Sequence, residues 1–338
     1  MLLGLSLGQT AALLCAGLLL GEPRRWHPLV GFGRLAAWLE RRLNPAHAPA
    51  GASASSTASA YPASPAVLRG LLAWTLAVLP FCLLAWLATR DSLFPAWPLH
   101  ALLLYFGLGL RSLRDHTRPI ELALEDGRLD EARALAGRIV SRDTQQAAPP
   151  EVAKAAVESL LENGNDAVFG SLFWFLVAGG PGVLLFRLAN TLDAMWGYRN
   201  ARYHAFGKAA ARIDDALAFV PARLTALSYS LVGRTRLALH CWRTQARAWP
   251  SPNGGPAMSA GAGALGLALG SSAVYDGVEE IRPPLGEGRA PEARDIGRAW
   301  RLVALCALLW AGAVAVAALI LALPHAGGPA MLHASLRP

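Results

Sequence analysis

Apolar runs set the plan of this chain. Residues 2–20 (LLGLSLGQTAALLCAGLLL), 66–89 and 302–323 each approach the roughly 20 apolar residues that cross a bilayer core, and 93–110 is a shorter run of the same kind. Between the first two lies WHPLVGFGRLAAWLERRLN, where Leu35, Leu39 and Leu43, with Trp38, recur at helical spacing while Arg34, Arg41 and Arg42 occupy other faces. That pattern predicts an amphipathic helix lying in the membrane interface. Residues 46–65 (AHAPAGASASSTASAYPASP) have no period, and so few large apolar residues cannot offset the entropy of ordering. They are expected to form a disordered cytoplasmic linker.

The run at 168–189 (VFGSLFWFLVAGGPGVLLFRLA) is interrupted at its centre by Gly179-Gly180-Pro181-Gly182. Glycine and proline damage a continuous helix most at that place. Two half-helices forming a re-entrant hairpin would return the chain to the side it came from, which is tolerated where protein or a polar cavity surrounds the break. The competing layout has two full crossings, this run and 216–232, with Arg223 buried in the second. The hairpin leaves the arginine-rich segments 24–42 and 111–166 on one side together with 190–301, in keeping with the positive-inside rule. The expected fold is therefore all-α: a single integral membrane domain over 1–338, with about four full transmembrane helices, a re-entrant helical hairpin and cytoplasmic helical loops. Both termini would lie outside, and 111–166 and 190–301 would carry any cytoplasmic chemistry.

Composition agrees. Hydrophobic residues make up 54% of the chain and charged residues 16%, against about 25% charged in soluble domains. The net charge of +8 is accounted for by cytoplasmic loops that retain arginine, and no nucleic-acid recognition motif accompanies it. Cys15, Cys82, Cys241 and Cys306 form no CxxC pair, so neither a disulfide framework nor a zinc site is indicated. There is no GxxxxGK[ST], no HExxH and no Ser/His/Asp set, and His27 and His116 are lone histidines.

Four constellations could carry chemistry. Glu158, Glu162 and Asp166, with Asn163 and Asn165 beside them, follow a predicted helix start at Pro149-Pro150 and fall four residues apart along one face. Such a row either holds a cation such as Mg²⁺ or is a solvated helix face. Arg138-Ile139-Val140-Ser141-Arg142-Asp143-Thr144 either grips a phosphate or carboxylate between two guanidiniums or is a capped basic loop. The stretch Asn190–Asp215 (NTLDAMWGYRNARYHAFGKAAARIDD) places Asn190 and Asp193 one turn apart, then Tyr198, Arg199, Arg212 and the pair Asp214-Asp215. It reads as polar machinery against a membrane, or as an ion-paired helical hairpin. Ser251-Pro252-Asn253-Gly254-Gly255-Pro256 is a turn whose backbone N–H groups could cradle an anion.

Seven segments in order, HPLVGFGRL, RIVSRDT, VESLLENGNDAV with LFW, NTLDAMWGYRN, ARIDD with PARLTAL, SPNGG and RPPLGEGR, resemble the CobD/CbiB family of cobalamin biosynthesis, the adenosylcobinamide-phosphate synthases. The resemblance implies a multi-pass protein of the bacterial inner (cytoplasmic) membrane with its active site facing the cytoplasm. It also implies an ATP-dependent amide-forming ligase that joins aminopropanol, as such or as its phosphate, to a propionate of adenosylcobyric acid. ATP and Mg²⁺ would be required, membrane lipid would surround the chain, and other cobalamin-pathway enzymes are possible partners. On that reading Asp193, Asp214 and Asp215 are catalytic candidates and Glu158, Glu162 and Asp166 metal candidates. Substrate would be bound by His27, Arg138, Ser141, Arg142, Asp143, Asn163, Asn190, Tyr198, Arg199, Arg212, Ser251 and Asn253. The chain departs from the family pattern in two places: Gly254-Gly255-Pro256-Ala257-Met258 stands where relatives have Ala-Gly-Trp-Pro-Glu, and Asn165-Asp166-Ala167 where they have Ser-Asp-Gly. The alternatives are a membrane sensor like the related AmpE proteins or a corrinoid transport protein.

Overall fold

A computed structural model describes residues 5–20, 28–46, 63–90, 95–275 and 277–322. The apolar and amphipathic runs become helices α1 (Leu7–Leu20), α2 (Pro28–Leu43), α3 (Ala63–Ala88), α4 (Trp97–Gly107), α5 (Leu110–Glu125) and α6 (Leu129–Ala136). Then come α7 (Pro149–Gly164), a π-helical turn (Asn165–Phe169), α8 (Gly170–Trp196), α9 (Lys208–Val232), α10 (Thr235–Gln245) and α11 (Gly254–Leu265). A hairpin of β1 (Leu269–Tyr275) and β2 (Val278–Leu285) precedes the last helix, α12 (Ala293–Ala322).

The chain doubles back inside α8. Ala178 and Gly179 leave helical geometry, with Gly179 at φ 60 and ψ −152. A Cβ built on Gly170 would lie 2.2 Å from the ring of Phe186, although 16 residues of straight helix would separate the two by about 24 Å. Arg187 Nη1 likewise donates to the Asp166 carbonyl at 3.3 Å. The two halves are therefore antiparallel, and their open end brings Asp166 beside Arg187. Buried His100 of α4 sits at the break, where its Nδ1 accepts from Gly180 N–H at 2.8 Å. Further along, Gly109 N–H reaches the Ala167 carbonyl at 2.9 Å, so α4 runs from the break back to the open end.

Only glycine fits position 179, because a Cβ there would stand 2.5 Å from the His100 ring on a left-handed φ. Gly179→Ala should destabilise the fold by about 2–4 kcal/mol, read as a lower melting temperature in detergent. A melting temperature equal to wild type would show that the break accepts a side chain.

Two apolar clusters hold the helices together. The larger is built around α7, the π-turn, α8 and α12, with Leu14 and Leu18 of α1, Leu104 and Leu108 at α4, and Ile120 of α5. The smaller packs Phe32 and Leu39 of α2 and Trp74 of α3 against Leu188, Leu192, Trp196 and Phe206. Outside these, Leu72, Leu76, Leu83, Leu84 and Leu87 of α3 and Leu308, Val316, Leu319 and Ile320 of α12 are exposed. Faces so apolar belong against lipid, and the protein is a helical membrane protein.

Several expectations change. Among the described residues three helical stretches are long and apolar enough to cross a membrane: Pro65–Ala88, Pro149–Trp196 and Ala293–Ala322. At 14 and 11 residues, α1 and α4 fall short of the full crossings predicted for them. The chain is not purely α-helical either. β1 and β2 form a two-stranded antiparallel sheet pairing Leu269 with Leu285 and Tyr275 with Val278. Most of the 46–65 segment lies outside the described residues, and its last positions already belong to α3.

Candidate active site

The open end of the α8 hairpin gathers acidic side chains. The π-turn inserts an extra residue per turn, which re-aims Asp166 relative to a straight helix. Asn165 Nδ2 donates to Asp166 Oδ1 at 2.8 Å, and Thr225 Oγ1 of α9 donates to Asn165 Oδ1 at 3.1 Å. The Asn190 amide is a hydrogen-bonding neighbour of both Asp166 and Asp214, and Asp193 and Asp215 are charged neighbours of Asp214. Asp214 is 8% exposed, and its Oδ1 is buried with no hydrogen-bond partner. Burial, reinforced by Asp166 and Asp193, pushes the Asp214 carboxyl up to about 8. Burial also raises Asp215, opposed by Arg212 and Arg199. Asp166 has Arg187 beside it and Asp215 has Arg212 and Arg199, whereas the neighbours of Asp214 are Asp166, Asp193, Asp215 and the Asn190 amide.

The predicted row of Glu158, Glu162 and Asp166 is split: Glu158 and Glu162 line one small cavity, and Asp166 stands with the carboxylates of the hairpin. Glu158 faces a different set of elements: Arg142 Nη2 at 3.0 Å, Arg282 Nη1 at 3.2 Å and the Gly270 N–H at 2.8 Å. The Glu158 and Arg142 side chains are only 5% and 8% exposed. Glu158 is thus a structural counter-ion whose oxygens are taken, which corrects its assignment as a metal ligand. Glu162 lies against the turn before α11, where a Cβ on Gly254 would meet its Oε1 at 3.0 Å. Only Asp166 joins the carboxylates of the hairpin.

The basic motif is divided as well. Residues 137–148 form turns and loop after α6, not a helix, so Arg138 and Arg142 share no face. Arg138 is exposed, whereas Arg142 is inserted against Glu158. Asp143 accepts from Gly277 N–H at 2.8 Å, fastening the β-hairpin tip, and lines a cavity of ≈ 390 Å³ with Arg142 and Lys154. Ser141, Arg142, Glu158, Glu162, Asn163 and Arg282 line a small cavity of ≈ 150 Å³. Asn163 spends its amide on the Ser159 carbonyl (2.9 Å) and hydroxyl (3.1 Å).

The turn before α11 joins the parts. Ser251 Oγ accepts from the N–H groups of Asn253 (3.3 Å) and Gly254 (3.0 Å), which fixes the entry to the helix. Buried Asn253 then donates through Nδ2 to the Asp215 carbonyl at 2.9 Å and accepts from Arg223 Nη1 at 2.7 Å. Beside it opens a cavity of ≈ 470 Å³ lined by Tyr198, Arg199, Tyr203, His204, Lys208, Arg212 and Asp215, with Pro250 and Pro252. The helix α9 and the segment before it therefore bring Tyr198, Arg199, Arg212 and Asp215 to one cavity. His27 lies outside the described residues.

Sequence reasoning missed Arg282 and Arg223 as members of these networks, and noted Asn165 only as a neighbour of the acidic row. Arg282 was in view as the first residue of RPPLGEGR, but its partner Glu158 is 124 residues away. Among the described residues no three His, Cys, Asp or Glu side chains converge as a ready metal cage.

Fold and site together define a helical membrane protein with an acid-and-arginine site where a broken helix doubles back. The chain belongs to the CobD/CbiB family, whose sequence model matches residues 10–303. It is 56% identical over 296 residues to the cobalamin biosynthesis protein CobD of Stutzerimonas stutzeri, covering 87% of this chain and 90% of that one. The CobD of Chromobacterium violaceum is 52% identical over 315 residues (91% and 95%), and that of Mycobacterium tuberculosis 38% over 307 (89% and 91%). No solved structure matches the chain.

Proposed function

We propose that this protein is an enzyme of cobalamin biosynthesis, of the adenosylcobinamide-phosphate synthase type. It would form an amide between a corrin propionate and aminopropanol phosphate at the expense of ATP. The observation that carries this reading is the pairing of the buried Asp214 carboxylate, unpartnered at Oδ1, with the adjoining cavity of both charge signs. An amino phosphate carries both signs, and Arg199, Lys208 and Arg212 suit its phosphate while Asp215 suits its ammonium.

A propionate is a poor acyl donor. Its oxygen attacks the terminal phosphorus of ATP and ADP departs, leaving an acyl phosphate. The amine nitrogen then attacks the acyl carbon, phosphate leaves and one amine proton passes to a base. Asp193 or Asp215 would take that proton, and arginines would neutralise the phosphate that leaves. Asp166, Asp193 and Asp214 fit a Mg²⁺ ion in kind, because the buried Asp214 Oδ1 has no other partner. With no three-carboxylate cage present, one or two of them would serve, the rest of the shell coming from phosphate and water. When bound, the ion supplies charge neutralisation for the phosphates.

For topology we favour a multi-pass protein of the bacterial inner membrane, with α8 re-entrant and the site on the cytoplasmic side. Support comes from the antiparallel halves of α8 and the arginine-rich segments 24–42 and 111–166 of the sequence. No feature of the site favours a sensor or a transporter.

The reading is tested with purified protein in detergent, given ATP, Mg²⁺, adenosylcobyric acid and aminopropanol phosphate and followed by chromatography. An ATP-dependent new corrinoid is expected, and Asp193→Asn should abolish it while leaving membrane insertion intact. No new product from active wild-type preparations would overturn the proposal.

A further inference from the structure

Across the wall made by Pro250 and Pro252 lies a second cavity, of ≈ 750 Å³, lined by Arg223, Trp242, Arg243, Arg247 and Trp249. Unlike its neighbour it has no carboxylate among its lining residues. Arg243 and Arg247 are exposed and four residues apart, carried on the end of α10 and the 3₁₀ turn Ala246–Ala248. Arg223 is held in place from both sides, donating to Asn253 Oδ1 at 2.7 Å and the Pro252 carbonyl at 3.0 Å and stacking on Phe219. One face of Trp249 is covered by the Arg282 guanidinium at 4.4 Å, whereas Trp242 is half-buried at the cavity wall.

Three guanidiniums, two indoles and no acid suit a ligand that is polyanionic at one end and flat and aromatic at the other. Phosphates are held by arginine forks and a purine stacks on an indole. A corrin propionate carries one charge, and an amino phosphate needs an acid for its ammonium, so neither uses this cavity fully. The volume falls in the range of small-molecule sites. We propose that this cavity is the nucleoside triphosphate subsite, with the purine on Trp242 and the phosphates on Arg243 and Arg247, beside Arg223, whose Nη1 is spent on Phe219 and Asn253. The proposal rests on the ligase reading. It places the two phosphorylated substrates on opposite sides of the 250–253 turn.

Anionic lipid headgroups offer the same phosphate chemistry, so the test separates the two sources. The full chain is placed in nanodiscs of neutral phosphatidylcholine, and the affinities of ATP and of tripolyphosphate are measured calorimetrically with Mg²⁺. Trp242→Ala should weaken ATP about tenfold and leave tripolyphosphate unchanged, and Trp242→Phe should restore most of the loss. Arg243→Ala combined with Arg247→Ala should weaken both ligands at least tenfold. ATP affinity unchanged in both variants would overturn the inference alone. So would variants that lose only retention of phosphatidylglycerol from mixed nanodiscs, which would make the cavity a headgroup site. Failure of the wild-type chain to bind ATP would overturn the inference and the ligase reading together.

Discussion

Asp214→Asn is expected to lower ligation by about 10²–10⁴-fold and, at pH above 8, to raise the melting temperature. Both effects come from one buried carboxylate with an unpartnered Oδ1. Burial, then Asp166 and Asp193, hold its folded value at about 8, against about 3.9 in an unfolded chain. A group raised in this way contributes stability that is fully present below the unfolded value. That contribution is lost as pH rises through about 8, because the folded state then no longer binds the extra proton. Wild type should therefore melt at progressively lower temperature from pH 5 to pH 9, and the variant should show a flatter profile. Mg²⁺ should raise the wild-type melting temperature most at pH 8.5, where the carboxylate is ionised, and should do little for the variant. Equal pH profiles for the two proteins would remove Asp214 from the role given to it.

Glu158→Ala should be the most destabilising single change at the site. It leaves the buried Arg142 and the largely buried Arg282 without their carboxylate and Gly270 N–H without its acceptor. Removing one partner of a buried ion pair costs about 3–5 kcal/mol, which lowers the melting temperature of a chain this size on the order of 10 °C. The damage should be local at first. The β-hairpin is tied to α7 through Gly270 and Arg282, so limited proteolysis should cut within 269–285 sooner than in wild type. Glu158→Gln keeps an acceptor for Gly270 and should fall between the two. A wild-type melting temperature for Glu158→Ala would show that water reaches these guanidiniums.

What could be read from the chain, and what could not, follows the range of the interactions. The break at Gly179–Gly182 is a local conflict between a long apolar run and residues that cannot continue a helix, so a helical turn-back there was legible. The gathering of Asn190, Asp193, Asp214 and Asp215 followed from it. The row Glu158, Glu162 and Asp166 misled because spacing gives a helix face but not what faces it. The partners of Glu158 lie 112 and 124 residues away, and Asp166 itself falls inside the π-turn. The β-hairpin carried a local signal, Asp276-Gly277 between AVY and VEEI. It was hidden among Pro and Gly residues that also describe a loop. Asn253 was picked out as a turn residue, but its partners Asp215 and Arg223 could be found only in three dimensions.

The packing of α1 against α12 has a bearing on biogenesis. Leu14 and Leu18 share a cluster with Val303, Ala307 and Ala311, so α1, which already meets Leu104 and Leu108 of the α4 region through Gly17, completes its packing only when α12 is made. Glu158 likewise waits for Gly270 and Arg282. Long-range contacts of this kind close slowly and leave unpaired surfaces in the interval. Nascent chains stalled before α12 should accordingly be inserted yet unlocked, with α1 and α7 still lacking the face that α12 covers.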